Sequence, residues 1–305
     1  MASDTETPRN EDQSSAPLLR KVQENGFPSR ISWRDFLSSD VDPDYSTGPL
    51  AVYCFLTGFI DALSFTAAFV WCGFQTGNFA QFALALARLE NPRDFVFYVA
   101  DWQALTSLVA FNAGAFIGRI GDRIGPHTRQ WLISGTVAQA VFTIIAGICI
   151  QQSGQGSIAV ARGEPSWTNG LTSVGLALMA ASLGLQGIMA KRLNTQFSTT
   201  VVLTAMWVEL FADPQLFHRR KTVSRDHKVL ALVALFAGAL LARLLLGKIG
   251  APATLGFGAG IRLFVAAAWV FVRGKGEGYM RLYDEQPQDE SDPDLSSGVA
   301  TYGAV

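Results

Sequence analysis

The residue of most chemical interest is Asp61, in the segment Gly58-Phe59-Ile60-Asp61-Ala62, about twelve residues into an apolar run. If that run lies in lipid, the carboxylate sits near mid-bilayer. An isolated charge there costs on the order of 2.5–3.5 kcal/mol on insertion scales, so the side chain must face the protein interior or water, or carry a proton. Two readings follow. Asp61 is a proton or cation site, or it makes a structural hydrogen bond to a neighbouring helix. The last apolar run carries Arg262, a conceivable intramembrane charge partner.

A second group, Gln75-Thr76-Gly77-Asn78, directly precedes a short apolar stretch. Gly relaxes the backbone, and Thr or Asn accepts hydrogen bonds from the free N–H groups of a helix start. A half-helix beginning inside the membrane would point its positive end at this cluster, as a polar-substrate or anion site does. An ordinary turn and cap at the membrane surface is the alternative. Gln186, Gln196, Ser198, Thr199 and Thr200 occupy the related region further on, where Val201-Val202 replaces the Gly-Asn pair. The candidate substrate- or ion-binding set is therefore Asp61, Gln75, Thr76, Gly77, Asn78, Gln186, Thr199 and Thr200.

Other reactive residue types read as structural. Arg119 and Arg243 lie at the ends of apolar runs, where long side chains snorkel to the interface. Cys54, Cys72 and Cys149 fall in or beside apolar segments and read as small buried hydrophobes, while His127, His218 and His227 have no metal-ligand spacing. Phosphate-binding loops, zinc-protease signatures and Gly-x-Ser-x-Gly are all missing. The sequence gives no reason to expect an enzyme, a cofactor or a metal, and the formal net charge of −1 gives none to expect nucleic acid.

The elements that must hold these residues are membrane helices. Mean hydropathy is +0.24 over 305 residues, although the charges are crowded into the ends and a few loops. Residues 1–49 hold five basic and nine acidic residues, with no apolar leader. The expected fold class is an all-α polytopic bundle with spans near 50–71, 102–121, 130–151, 170–190, 229–247 and 253–272. The stretches 73–88 and 196–212 are shorter, either brief spans or re-entrant half-helices. Expected boundaries are a disordered cytoplasmic tail over 1–48, a first membrane repeat over 49–152, a loop over 153–168, a second repeat over 169–273 and a disordered cytoplasmic tail over 274–305.

The repeat rests on Ala113-Gly114-Ala115-Phe116-Ile117-Gly118-Arg119 and Ala237-Gly238-Ala239-Leu240-Leu241-Ala242-Arg243, which share four of seven residues at a spacing of 124. A Pro-containing turn follows each copy, and at the same spacing Thr76 falls on Thr200. Six crossings would make the halves inverted; eight would make them parallel. With six, Lys and Arg divide eighteen to five in favour of the side bearing both ends; with eight, sixteen to seven. Both counts place the tails in the cytoplasm.

Gly58-Phe59-Ile60-Asp61-Ala62-Leu63-Ser64-Phe65, Gln75-Thr76-Gly77-Asn78 and Leu183-Gly184-Leu185-Gln186 resemble the YoaK-like membrane proteins defined by domain of unknown function 1275. The resemblance covers roughly residues 48–275, and the long polar tails look like those of a fungal member. It implies a multi-pass membrane protein without an assigned substrate. Gly187 departs from it, standing where the second half of the family often has Asn. The expected function is a secondary transporter or permease for a small solute or ion, resident in the plasma membrane rather than the vacuole. The alternative is a non-transporting scaffold or accessory subunit, with the lipid bilayer as its surroundings in either case.

Overall fold

The computed structural model describes residues 33–88, 90, 96–161, 164–195, 197, 200–201, 203–217 and 222–275. Most of both expected tails, and Thr199, lie outside them. Among the described residues the regular elements are helices, with three isolated β-bridges. In chain order these helices are α1 Trp33–Ser38, α2 Thr47–Ala68, α3 Gln75–Arg88, α4 Val99–Gly118, α5 Gly121–Ile124, α6 Arg129–Ser153, α7 Gly170–Leu193, α8 Leu203–Phe211 and α9 Val223–Phe271.

Five of them, α2, α4 with its extension through α5, α6, α7 and α9, are long and apolar enough to cross a membrane. Helix α2, with 22 residues, spans about 33 Å at 1.5 Å per residue, close to a hydrocarbon core of about 30 Å. The two last expected spans fall within α9, whose 49 residues are interrupted at Gly250 by a non-helical backbone (φ 75°, ψ 171°). Pro252 lacks an N–H and so suits the start of the segment after this break. The N–H of Ala251, freed by it, donates to Ser157 Oγ at 2.8 Å.

The polarity of the bundle is inverted relative to a water-soluble protein. Phe116, Ile148, Phe236, Leu240, Leu244 and Phe264 are exposed, whereas Thr57, Asp61, Thr136, Gln139, Ser182, Gln186 and Arg262 are buried. Large apolar side chains facing outward, with buried polar and charged groups set within an otherwise apolar core, fit lipid as the solvent. Helix α2 packs along α9, α4 along α7, and α6 against both α7 and α9. Where the first two pairs cross, glycine brings backbone onto backbone. A Cβ on Gly58 would fall 2.1 Å from the Leu235 carbonyl oxygen, and Cβ atoms on Gly114, Gly184 and Gly238 would each fall 2.0 Å from the carbonyls of Ala181, Phe111 and Phe55. Small residues permit this close approach in membranes, where packing rather than water expulsion holds helices together.

Local chemistry explains where the helices stop. Phe69 closes α2 in the left-handed conformation (φ 57°), with its N–H on the Phe65 carbonyl at 3.0 Å. Thr128 caps α6 by accepting from Trp131 N–H, and Asn169 caps α7 by accepting from Thr172 N–H. One face of the bundle is fastened by a clasp. Val41 N–H donates to His127 O, Asp42 N–H to Arg273 O, Arg129 N–H to Ser39 O and Lys275 N–H to Asp40 O. The buried Arg129 guanidinium crosses this clasp, bonding Ser39 Oγ and the Val272 carbonyl beneath the Phe36 ring. On the opposite face the loop after α6 folds onto the end of α2, with Ala159 N–H on Thr66 O and Ser166 N–H on Ala67 O.

Candidate functional site

Two short helices start inside the bundle and leave by opposite faces. Gln75, the first residue of α3, donates to Ser107 Oγ at 3.2 Å, eight residues or about 12 Å down α4 from its start. Arg88, the last residue of α3, is ion-paired with Asp101 in the first turn of α4. Helix α3 therefore rises from the interior to the loop face. Helix α8 does the reverse. The chain before it reaches Val201, whose Cγ2 lies 3.4 Å from the Cβ position of Gly187, well inside α7. Glu209, near its end, sits 3.7 Å from Lys228 in the second turn of α9, on the clasp face.

The segments that lead into the two short helices meet. A Cβ on Gly73 would lie 3.4 Å from Val201 Cγ1, 3.3 Å from Thr57 Cγ2 and 2.8 Å from Asp61 Oδ2. Any larger residue at 73 would displace the carboxylate. Asp61 is 1% exposed; its Oδ1 accepts the Gly73 N–H at 2.7 Å and its Oδ2 has no partner. The carboxylate thus takes its hydrogen bond at the positive end of α3, the electrostatically favourable place for it.

Asn78 fixes the α3 start. Its Nδ2 donates to the Trp71 carbonyl at 2.7 Å, Gln75 Oε1 at 3.0 Å and Ser107 Oγ at 3.1 Å, while Gln75 Nε2 reaches the Cys72 carbonyl at 2.6 Å. Of the expected residues, Asp61, Gln75 and Asn78 are thus brought to one place. Thr76 and Gly77 are exposed on the outer side of α3, and Gly77 has open space beyond its Cα. Thr200 is buried, and its hydroxyl has no partner.

Gln186 belongs to a second cluster contiguous with the first. Its Nε2 donates to Thr57 Oγ1 at 2.9 Å and to the Tyr53 carbonyl at 3.0 Å. Its Oε1 accepts from Arg262 Nη1 at 3.4 Å. Arg262 is fully buried and also bonds Gln139 Oε1 and, at 3.2 Å, Ser182 Oγ. The conceived Asp61–Arg262 ion pair is not formed, and Arg262 pairs with no carboxylate among the described residues. The two charges instead end a run of polar side chains, Asp61 beside Thr57, then Gln186, then Arg262. Sequence reasoning missed Thr57, Gly73, Ser107, Gln139 and Ser182. Gln139 and Ser182 stand in the middle of apolar runs, a signal that was available; Gly73 carries none.

On the loop face a cavity of about 610 Å³ opens between α3, the start of α4 and residues 164–168, lined in part by Gln81, Arg88, Tyr98, Asp101 and Glu164. Among the described residues no group of three or more His, Cys, Asp or Glu side chains is placed to hold a metal ion.

An apolar-jacketed helical bundle with buried charges and internally starting helices defines a polytopic membrane protein. The chain belongs to the family described as protein of unknown function DUF1275, whose model matches residues 50–268. No curated protein and no solved structure matches it.

Proposed function

We propose that the chain is a secondary transporter for a small solute, with its carrier site along the polar run from Asp61 to Arg262 and Asp61 as the proton carrier. The observation that carries the reading is that the segments leading into two internally starting helices, from opposite faces, meet beside a buried carboxylate. Transporters with inverted repeats place discontinuous helices around a midplane site in this way.

The spacing of the crossing glycines supports it. Gly114 and Gly238 are 124 residues apart, and Gly58 and Gly184 are 126 apart. Exchanging the halves carries the Gly114–Ala181 contact onto Gly238–Phe55, and Gly184–Phe111 onto Gly58–Leu235. In this scheme α9 counts as two crossings, since 49 helical residues would extend about 73 Å, more than twice the hydrocarbon core. Six crossings then divide into two inverted halves, with α3 and α8 as their re-entrant arms. The eighteen-to-five division of Lys and Arg supports a cytoplasmic clasp face.

A non-transporting scaffold is the competing reading, favoured by one feature: Asp61 Oδ2 is shut off from solvent. Uptake separates the two. Proteoliposomes under an inward proton gradient are offered a panel of small solutes, with wild type beside Asp61→Asn and Asn78→Ala. Wild type accumulates at least one solute, Asp61→Asn slows this by about tenfold or more, and Asn78→Ala gives an intermediate loss by loosening the α3 start. Equal rates for three folded proteins, or uptake by none, contradict transport.

A further inference from the structure

Arg262 is chemically incomplete, and the way it is incomplete specifies a ligand. Both N–H groups of Nη1 are engaged, by Gln139 and Gln186, and Nη2 has one acceptor, Ser182. Nε has none, although the residue has no exposure at all. The Nε/Nη2 edge of the guanidinium thus holds the acceptor-free Nε beside an Nη2 with a single acceptor. That is the edge Arg192 uses in this same protein to grip Asp122, with Nε on Oδ1 and Nη2 on Oδ2, both at 2.8 Å.

Among the described residues no carboxylate balances the charge. The buried carboxylates among the described residues are Asp61 and Asp101; the first accepts from Gly73 and the second is paired with Arg88. Arg88 and Arg129 also leave Nε without an acceptor, yet Arg88 has that ion pair, and Arg129 lies at the clasp under Phe36 with the Val272 carbonyl on Nη2. Among the described residues, Arg262 alone combines a mid-bundle position with neutral side-chain partners only. An unpaired guanidinium in a low-dielectric interior is unfavourable, and a planar oxyanion relieves this best by matching two parallel N–H donors.

We infer that Arg262 receives the carboxylate of a small monocarboxylate through its Nε/Nη2 edge. The inference deepens the transport reading, on which its physiological role rests: a proton on Asp61 accompanying an anion on Arg262 makes the translocated load electrically neutral. The binding itself can be measured without transport.

The test is the melting temperature of the detergent-solubilised full chain, followed by intrinsic tryptophan fluorescence, against sodium acetate, lactate or benzoate. Sodium chloride at matched ionic strength and glycerol are controls. Wild type is expected to gain stability saturably with at least one carboxylate and with neither control. Arg262→Lys keeps the charge but loses the planar edge, and should need about tenfold more ligand. Gln139→Glu supplies an internal carboxylate, and should melt higher without ligand and gain nothing from it; this variant serves if Arg262→Lys does not fold. The inference is overturned if no carboxylate acts saturably, if chloride reproduces the effect, or if Gln139→Glu responds like wild type. Asp61-dependent uptake of an uncharged solute without carboxylate binding would sink this inference and spare transport. Carboxylate binding without any uptake would keep the site and remove transport.

Discussion

At the scale of single residues, the account turns on how few atoms separate Asp61 from the start of α3. Gly73→Ala places a Cβ 2.8 Å from Asp61 Oδ2, so the carboxylate must rotate away or the loop must shift. The expected stability loss is about 1 kcal/mol, at the mild end of overpacking, because the obstructing atom ends a side chain. Uptake should fall much further than stability, which a thermal melt beside a transport assay checks. Asp61 was legible from its sequence because a carboxylate in an apolar run demands a reason. Its actual partner was not, since a backbone N–H donor leaves no trace in residue type. Arg262 was equally visible as a charge, but its neutral cage depends on how three helices pack.

At the scale of elements, glycines sort into those that fix a helix crossing and those that do not. Gly114→Ala and Gly238→Ala drive a Cβ to 2.0 Å from the carbonyls of Ala181 and Phe55. Each should destabilise the protein by about 1–3 kcal/mol, read as a lower melting temperature in detergent. Gly77→Ala meets nothing and replaces a poor helix former, so it should be neutral or stabilising by up to about 1 kcal/mol. A Gly77→Ala melting point as low as those of the crossing variants would refute this division. The long helices were legible as apolar runs because each must satisfy its own backbone in lipid. The short ones left a choice between brief spans and re-entrant arms, because 14 and 9 residues of helix do not reveal where they begin. Contacts to Ser107 and Gly187, far away in sequence, place their starts within the bundle. The Gly250-Ala251-Pro252 turn was visible as the break between the last two apolar runs, and the backbone of α9 is interrupted there.

At the scale of the whole molecule, hydrogen-bonded segments cross both faces: the clasp at residues 39–42, 127–129 and 272–275, and the loop folded over the end of α2. A transporter must open one face at a time. Asp40 and Thr128 face each other in an antiparallel bridge, a spacing that accepts a disulfide. With Cys149 replaced by Ala, since Cys54 and Cys72 are buried, the pair Asp40→Cys and Thr128→Cys should halt uptake on oxidation and regain it with reductant. Undiminished uptake in the oxidised protein would show that the clasp is not a gate. The most direct test of the central claim is proton movement into pyranine-loaded proteoliposomes when solute is added outside. Wild type should acidify the lumen in step with solute uptake and Asp61→Asn should not, whereas equal acidification by both, or uptake with no proton movement, would contradict a carrier built around Asp61.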